Sequence, residues 1–301
     1  QGNRPDRLMP LLELKDESTG YNRKEILRGL TLSIEPGERI ALIGESGAGK
    51  STLIGQLVHH LCQQNQAPAV LAVDPSSPLT GGAILGDRIR MDHLNAGQAF
   101  IRSAATRGHQ GGLALSVPGS MRVFSAAGYH PVIIETVGVG QVEVDVAAAA
   151  DTTVVVVNPG WGDAVQANKS GLLEVADIFV INKADRPGAQ DTRRDLELML
   201  ELSHVSGQED PTGYRPPIIM ATATTGDGIA ETWTAITLHL QHLKNTGQLE
   251  ARRQARIRYE VLSRIEQKLQ IAAKNALTAE TITTNTSPAK LAQQIVNQLL
   301  A

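Results

Sequence analysis

The run GESGAGKST, Gly44 to Thr52, follows the pattern G-x-x-x-x-G-K-[ST]. Its glycines let backbone N–H groups turn inward on phosphate oxygens, so such a stretch is a phosphate cradle wherever it joins a buried strand to a helix. Both flanks meet that condition. RIALIG (Arg39–Gly44) is a short apolar run of strand formers, bounded upstream by the turn signal EPGE at Glu35–Glu38. Downstream, Leu53, Ile54, Leu57, Val58 and Leu61 recur at helical spacing, so the loop opens a helix whose N-terminal partial charge favours an anion. In this setting Gly44, Glu45, Ser46, Gly47, Ala48, Gly49 and Thr52 are expected to line a nucleoside triphosphate. Lys50 is placed to bridge the terminal phosphates, and Ser51 to offer its hydroxyl to magnesium.

NKAD (Asn182–Asp185) directly follows a second buried run, where a base-recognition loop belongs. A carboxylate at Asp185 can accept from guanine N1–H and the exocyclic amine, whereas adenine presents an acceptor there. Charge-assisted bonds of this kind contribute roughly 1.5–3 kcal/mol each, enough to select guanine. Asn182 is expected to tie the loop to neighbouring backbone and the Lys183 stem to cover the base. TATTGDG (Thr222–Gly228) follows a further strand-like run, and there Thr222 and Ala223 are expected beside the base, with the Ala223 amide on guanine O6.

Two acidic strand ends lie between these motifs. Asp74 in VDPSSP and Glu135 in IIETVGVGQ either reach the magnesium, directly or through water, or cap the loops that follow. Gly138 would bring its amide to the γ-phosphate. Val139 follows Gly138, where many GTPases carry a glutamine, so intrinsic turnover is expected to be slow. Gln141 would orient the attacking water only after the loop rearranges.

The elements that must hold these residues read as α/β. AVLAVD, PVIIET, TTVVVVN, IFVIN and PPIIMAT end at Asp74, Thr136, Asn158, Asn182 and Thr222. Their continuous apolarity implies strands buried on both faces, and their alternation with helical patterns implies a mostly parallel sheet sandwiched by helices, as in P-loop NTPases. The character changes after residue 230. Trp233, Ile236, Leu240 and Leu243 mark one helix, Ile257, Val261, Ile265 and Leu269 a longer one, and Leu291, Ile295 and Leu299 a last short one after a polar connection. This divides the chain into an N-terminal segment (1–38), a nucleotide domain (39–230) and a helical extension (231–301) whose apolar stripe either pairs two copies as a homodimer or packs back on the sheet. Arg252, Arg253, Arg256 and Arg258 in the extension read as a solvated helix face.

At 301 residues the chain has ample apolar content for a core. Its net charge of −3 argues against a nucleic-acid or anionic-membrane partner held by bulk electrostatics. Cys62, the one cysteine, cannot form an internal disulfide, which fits a reducing compartment. No apolar run of ~18 residues occurs and QGNRPDRLMP lacks a leader's apolar region, so a cytoplasmic location is expected. The chain opens on Gln1 rather than Met, and residues preceding it are expected.

Longer segments resemble the MeaB/ArgK GTPases, chaperones of cobalamin-dependent acyl-CoA mutases whose members include the human methylmalonic aciduria type A protein. The segments are AVDPSSPLTGGAILGDRIRM (Ala72–Met91), GYHPVIIETVGVGQVEVDVA (Gly128–Ala147) and PGWGDAVQANKSGLLEVADIFVINKAD (Pro159–Asp185), with GQLEARR in the tail, so the resemblance spans roughly 68 to 270. It implies GTP and GDP as ligands with magnesium and an acyl-CoA mutase as partner. By this resemblance Asp74 and Asp87 lie in a first switch region and the stretch from Glu135 to Gln141 forms a second. Asp163, Gln166 and Lys169 then belong to a third that couples nucleotide state to the mutase. Residues 11–57 resemble instead the opening of an ABC-transporter ATPase, in which Tyr21 would stack on adenine. That reading lacks downstream support, because LTGGA (Leu79–Ala83) comes too soon after the phosphate loop for an LSGGQ-type signature and IIET has no paired acids.

Overall fold

In the computed structural model the apolar runs assemble into one seven-stranded, all-parallel sheet. The structure describes residues 12–21, 24–34, 38–74, 98–105, 112–136, 141–161, 174–205, 212–279 and 286–300. An antiparallel pair, β1 (Leu12–Tyr21) and β2 (Lys24–Ile34), stands apart from that sheet. The sheet itself comprises β3 (Arg39–Ile43), β4 (Ala69–Asp74), β5 (Phe100–Ala105), β6 (Val132–Thr136), β7 (Thr152–Val157), β8 (Ile178–Ile181) and β9 (Ile218–Met220). Its order is β5-β4-β6-β3-β7-β8-β9. Strand β3 therefore sits between β6 and β7, with Ile40 paired to Ile133 on one side and Thr152 on the other. The chain leaves β3 on one side for β4 and β6 and later returns to its other side at β7, which opens a crevice beyond the carboxyl ends of these strands.

Continuous apolarity in the strands has a direct cause. Ala41 and Ile43 pack with Val155, Val157, Phe179 and Ile181 into one layer, while the alternate residues Ile40, Leu42, Val154, Val156, Ile178 and Val180 pack into the other. Each face carries helices. The first layer is closed by residues of α2 (Gly112–Ala126), α3 (Gln141–Ala148) and α4 (Ala189–Val205), including Met121, Val146 and Leu196. The second is closed by α1 (Lys50–Gln63) and α5 (Ile229–Asn245), through Leu53, Leu57 and Ile236. Complete burial of such a side chain stabilises the fold by roughly 1.5–3 kcal/mol.

Two strand regions differ from the sequence expectation. FIRSAA, β5, is an edge strand with exposed Phe100 and Arg102, so its apolar pattern is broken and carries no strand signal. The hairpin β1–β2 occupies the N-terminal segment, where Leu30, Leu32 and Ile34 alternate at the two-residue period of a strand.

The chain separates into two compact units, 1–253 and 254–301. Helix α5 belongs to the first, because its stripe of Ile229, Ala235 and Ile236 is buried against the sheet. Helix α6 (Gln248–Ala279) begins in the first unit, and there the solvated-face reading of Arg252 and Arg253 fails. Arg252 forms a two-pronged pair with Asp177 at 2.9 and 3.0 Å, and Arg253 reaches Asp151 at 3.4 Å. Both carboxylates sit just before strands. Asp151 accepts from the Arg39 amide at 3.2 Å and Asp177 from the Thr153 amide at 2.8 Å, so they satisfy backbone at the strands' starting edge and still need cations. Buried His239 (Nε2 3.3 Å from Asp177) and the Tyr214 hydroxyl, which donates to the Asp177 carbonyl at 3.0 Å, complete this network. Arg258 is exposed as expected.

The second unit holds the rest of α6 and α7 (Pro288–Leu300). Ile257, Val261, Ile265 and Leu269 follow the predicted helical spacing and remain about half exposed. Among the described residues no helix is long and apolar enough to cross a membrane.

Candidate functional site

The phosphate loop leaves β3 at Gly44 and enters α1 at Lys50. Gly44 has φ +137°, and a Cβ there would lie 2.1 Å from the Val156 carbonyl oxygen, so only glycine lets the chain pass β7. Gly49 caps α1 at φ +85°, and a Cβ there would meet the Asn182 amide at 2.4 Å. The buried Lys50 ammonium donates to the carbonyls of Gly44 and, at 2.9 Å, Glu45, so its charge is held over the loop that opens the helix. No acidic residue occupies the first turn of α1, which leaves the helix's N-terminal positive end uncompensated by its own side chains.

Ser51 lies on the first turn of α1 and Glu135 near the end of β6, and the fold brings them together. The Ser51 hydroxyl donates to Glu135 Oε1 at 2.6 Å, and Glu135 is 1% exposed. Adjacent hydroxyl and carboxylate oxygens suit a hard cation such as magnesium, which takes oxygen ligands and retains waters. Among the described residues no cluster of three or more His, Cys, Asp or Glu side chains is placed to chelate a metal ion.

The NKAD loop joins the phosphate loop through Asn182. Its side-chain amide donates to the Ala48 carbonyl at 2.8 Å, and its Oδ1 accepts from the Ala223 amide at 3.1 Å. One buried side chain thus ties together Gly44–Thr52, Asn182–Asp185 and the turn after β9. Lys183 adopts φ +57° and extends its ammonium to the Gly47 carbonyl at 2.7 Å, which lays its stem across the gap between the two loops. Asp185 is exposed at the mouth. Ala223 is 2% exposed and its amide donates to Asn182 Oδ1, which places it at the junction of the two loops. The turn itself is held by Thr225, whose hydroxyl donates to Asp227 at 2.6 Å, and by the Thr222 amide on the Asp227 carbonyl at 3.0 Å.

Glu143 has no counterpart in the sequence reading. It lies on α3, is 2% exposed, and accepts from the Gly44 amide at 3.0 Å. The signal available in the sequence was a pair of acids, Glu143 and Asp145, on an otherwise valine-rich stretch, VEVDVAA, close behind IIETVGVGQ. Of the remaining candidates, Asp74 ends β4 and Gln141 begins α3, both at the carboxyl edge of the sheet or just beyond it. Gly138, Asp87, Asp163, Gln166 and Lys169 lie outside the described residues.

A family model described as methylmalonyl Co-A mutase-associated GTPase MeaB matches residues 6–278. That range takes in 11–57 and extends the family match upstream of residue 68. A protein of Pyrococcus abyssi named as a GTPase is 44% identical over 256 residues, covering 85% of this chain and 77% of its own. The mouse mitochondrial methylmalonic aciduria type A homolog is 37% identical over 218 residues, 72% of this chain and 52% of its own. Among solved structures, a LAO/AO transport system kinase superposes with a TM-score of 0.64 at 27% identity, over 89% of this chain and 83% of that one.

Proposed function

The chain belongs to the family of methylmalonyl-CoA mutase-associated GTPases, MeaB, and on that premise we propose that it is a guanine-nucleotide switch that assists a cobalamin-dependent acyl-CoA mutase, hydrolysing GTP to change its grip on that partner. The observation that carries the reading is the Asn182 bridge, because a side chain bonded to Ala48 and Ala223 at once couples phosphate contacts to base contacts. Guanine is selected by Asp185, with Lys183 over the base and Thr222 beside it. The O6 donor in this reading is the amide of Ala223, which turns from Asn182 Oδ1 to the base.

Hydrolysis is an in-line attack of water on the γ-phosphate, and the protein's part is positioning and charge neutralisation. The loop amides from Gly44 to Thr52 cradle the phosphates, and the Lys50 ammonium, seated on the Gly44 carbonyl, turns its remaining N–H donors toward the β- and γ-phosphate oxygens. Ser51 and Glu135, with Asp74 and Asp87, would hold a magnesium ion, which would supply charge neutralisation at the phosphates. Gly138 donates its amide to the γ-phosphate. With Val139 where a glutamine would orient water, the basal reaction is slow, and Gln141 acts once the partner has reorganised the loop. Asp163, Gln166 and Lys169 transmit nucleotide state to the mutase and are not needed to hold guanine. The helical extension pairs two copies into a homodimer that works in the cytoplasm, on either cofactor loading or mutase reactivation.

Nucleotide states that bind the mutase differently must be altered reciprocally by it. The test measures GTP hydrolysis with and without a methylmalonyl-CoA mutase, alongside pull-downs in GDP and in a non-hydrolysable GTP analogue. Stimulated turnover and nucleotide-dependent capture are expected, with Lys169→Ala losing stimulation while keeping GDP affinity. Unchanged turnover and equal capture in both states would refute the switch.

A further inference from the structure

We infer that Glu143 is a positioning residue of the hydrolytic site, acting through Gly44 on Lys50. Three observations meet at Gly44. Its amide donates to Glu143 Oε1 at 3.0 Å, its carbonyl accepts from the Lys50 ammonium, and its φ of +137° beside the Val156 carbonyl is a conformation that glycine alone tolerates. The two peptide groups of this residue are therefore held from opposite ends by a carboxylate and an ammonium, both buried at 2% and 6% exposure.

A glycine at such a φ has no side chain to fix it. Its carbonyl direction depends on what its neighbours grip, so the Glu143 bond sets the orientation of the oxygen that Lys50 uses as its seat. A bond from a buried carboxylate to a backbone N–H is charge-assisted and stronger than a neutral one, so it suits the role of a fixed anchor. Glu143 also belongs to α3, the helix that follows the strand bearing Glu135, while Ser51 is bonded to Glu135. Glu143 and Glu135 thus hold the phosphate loop at its first residue and at the residue after its lysine. Lys50 lies between those two anchored points, and its ammonium must approach the γ-phosphate with sub-ångström accuracy for full effect, since a misplacement of ~1 Å can cost on the order of 100-fold in rate.

The inference rests on the assignment of Lys50 to the phosphates, so the experiment carries Lys50→Ala as a separate arm. Single-turnover GTP hydrolysis and GDP affinity are measured on the full chain for the parent, Glu143→Ala, Glu143→Gln and Lys50→Ala, with urea unfolding of each. Glu143→Gln keeps an oxygen that can accept the Gly44 amide; Glu143→Ala does not. Glu143→Ala should lose about tenfold or more in the hydrolysis step while GDP affinity changes by less than about threefold, and Glu143→Gln should stay within about threefold of the parent. Unchanged hydrolysis in Glu143→Ala would overturn the inference, as would equal impairment of the two Glu143 variants. So would a loss in Glu143→Ala matched by an equal loss of GDP affinity, because that is the mark of a merely structural support. If Lys50→Ala hydrolyses GTP like the parent, the site assignment fails instead, independently of the Glu143 result.

Discussion

Replacing Asn182 with alanine should loosen the nucleotide site and weaken the fold together. The parent side chain is 2% exposed and makes two bonds to backbone, to Ala48 at 2.8 Å and from Ala223 at 3.1 Å. Truncation leaves one carbonyl and one N–H buried without that partner. Each such group costs about 1–3 kcal/mol, so a total of about 2–4 kcal/mol is expected once water is allowed to reach part of the space. Urea unfolding followed by the fluorescence of Trp161 and Trp233 reads the stability term, with the m-value checked so that a change in midpoint reports stability. Nucleotide affinity should fall as well, by about 10–100-fold for GDP, because the base loop would no longer be registered against the phosphate loop. Asn182→Asp makes a sharper variant: it keeps the acceptor for Ala223 but places an oxygen against the Ala48 carbonyl, so it should be no better than alanine for GDP. A stability loss with GDP affinity unchanged would refute the idea that this side chain couples the two loops.

Asp185→Asn should lower GTP affinity and raise that of xanthosine triphosphate relative to it in competition binding; equal affinity of the parent for ATP and GTP would refute guanine selection at this loop. Glu38 is pushed up from 4.5 to about 7, first by burial and then by nearby Asp151, against smaller opposing effects of Lys244 and Arg253. The native chain therefore keeps a proton that the unfolded chain releases, so Glu38's contribution to stability is present below pH 4.5 and lost as pH rises through about 7. At ~1.4 kcal/mol per pH unit the rise corresponds to at most about 3 kcal/mol, and Glu38→Gln should be more stable than the parent at pH 8 and close to it at pH 5; parallel stability–pH curves would count against it. Arg252→Ala should cost about 1–3 kcal/mol in urea unfolding, because it strips a two-pronged partner from the mostly buried Asp177 while one third of the Arg252 side chain already faces solvent. Full retention of stability in that variant would show that His239 and the Thr153 amide suffice for Asp177.

Much of the site was legible because its signals are local. A glycine pattern between a strand and a helix constrains backbone over a few residues, and GESGAGKST does so through Gly44 and Gly49 at positive φ. NKAD was readable for the same reason, being a short polar stop on a buried strand. The strands that carry these motifs declared themselves through continuous apolarity, which two-sided burial requires of β3, β7 and β8. Edge strand β5 did not, since one open flank removes that requirement.

What the amino-acid order determined by itself, then, was the chemistry at each strand end and the period of each element, because both depend on residues a few positions apart. Which groups meet across the sheet was decided only by the tertiary structure. Glu143 and Gly44 are 99 residues apart and Asn182 and Ala48 are 134 apart, and each pair is joined only once β6, β3, β7 and β8 lie side by side. The same holds for Arg252 and Asp177, separated by 75 residues. An arginine on a helix looks alike in sequence whether it faces water or a buried carboxylate, and its partner is set by how the helix packs, which no local pattern encodes.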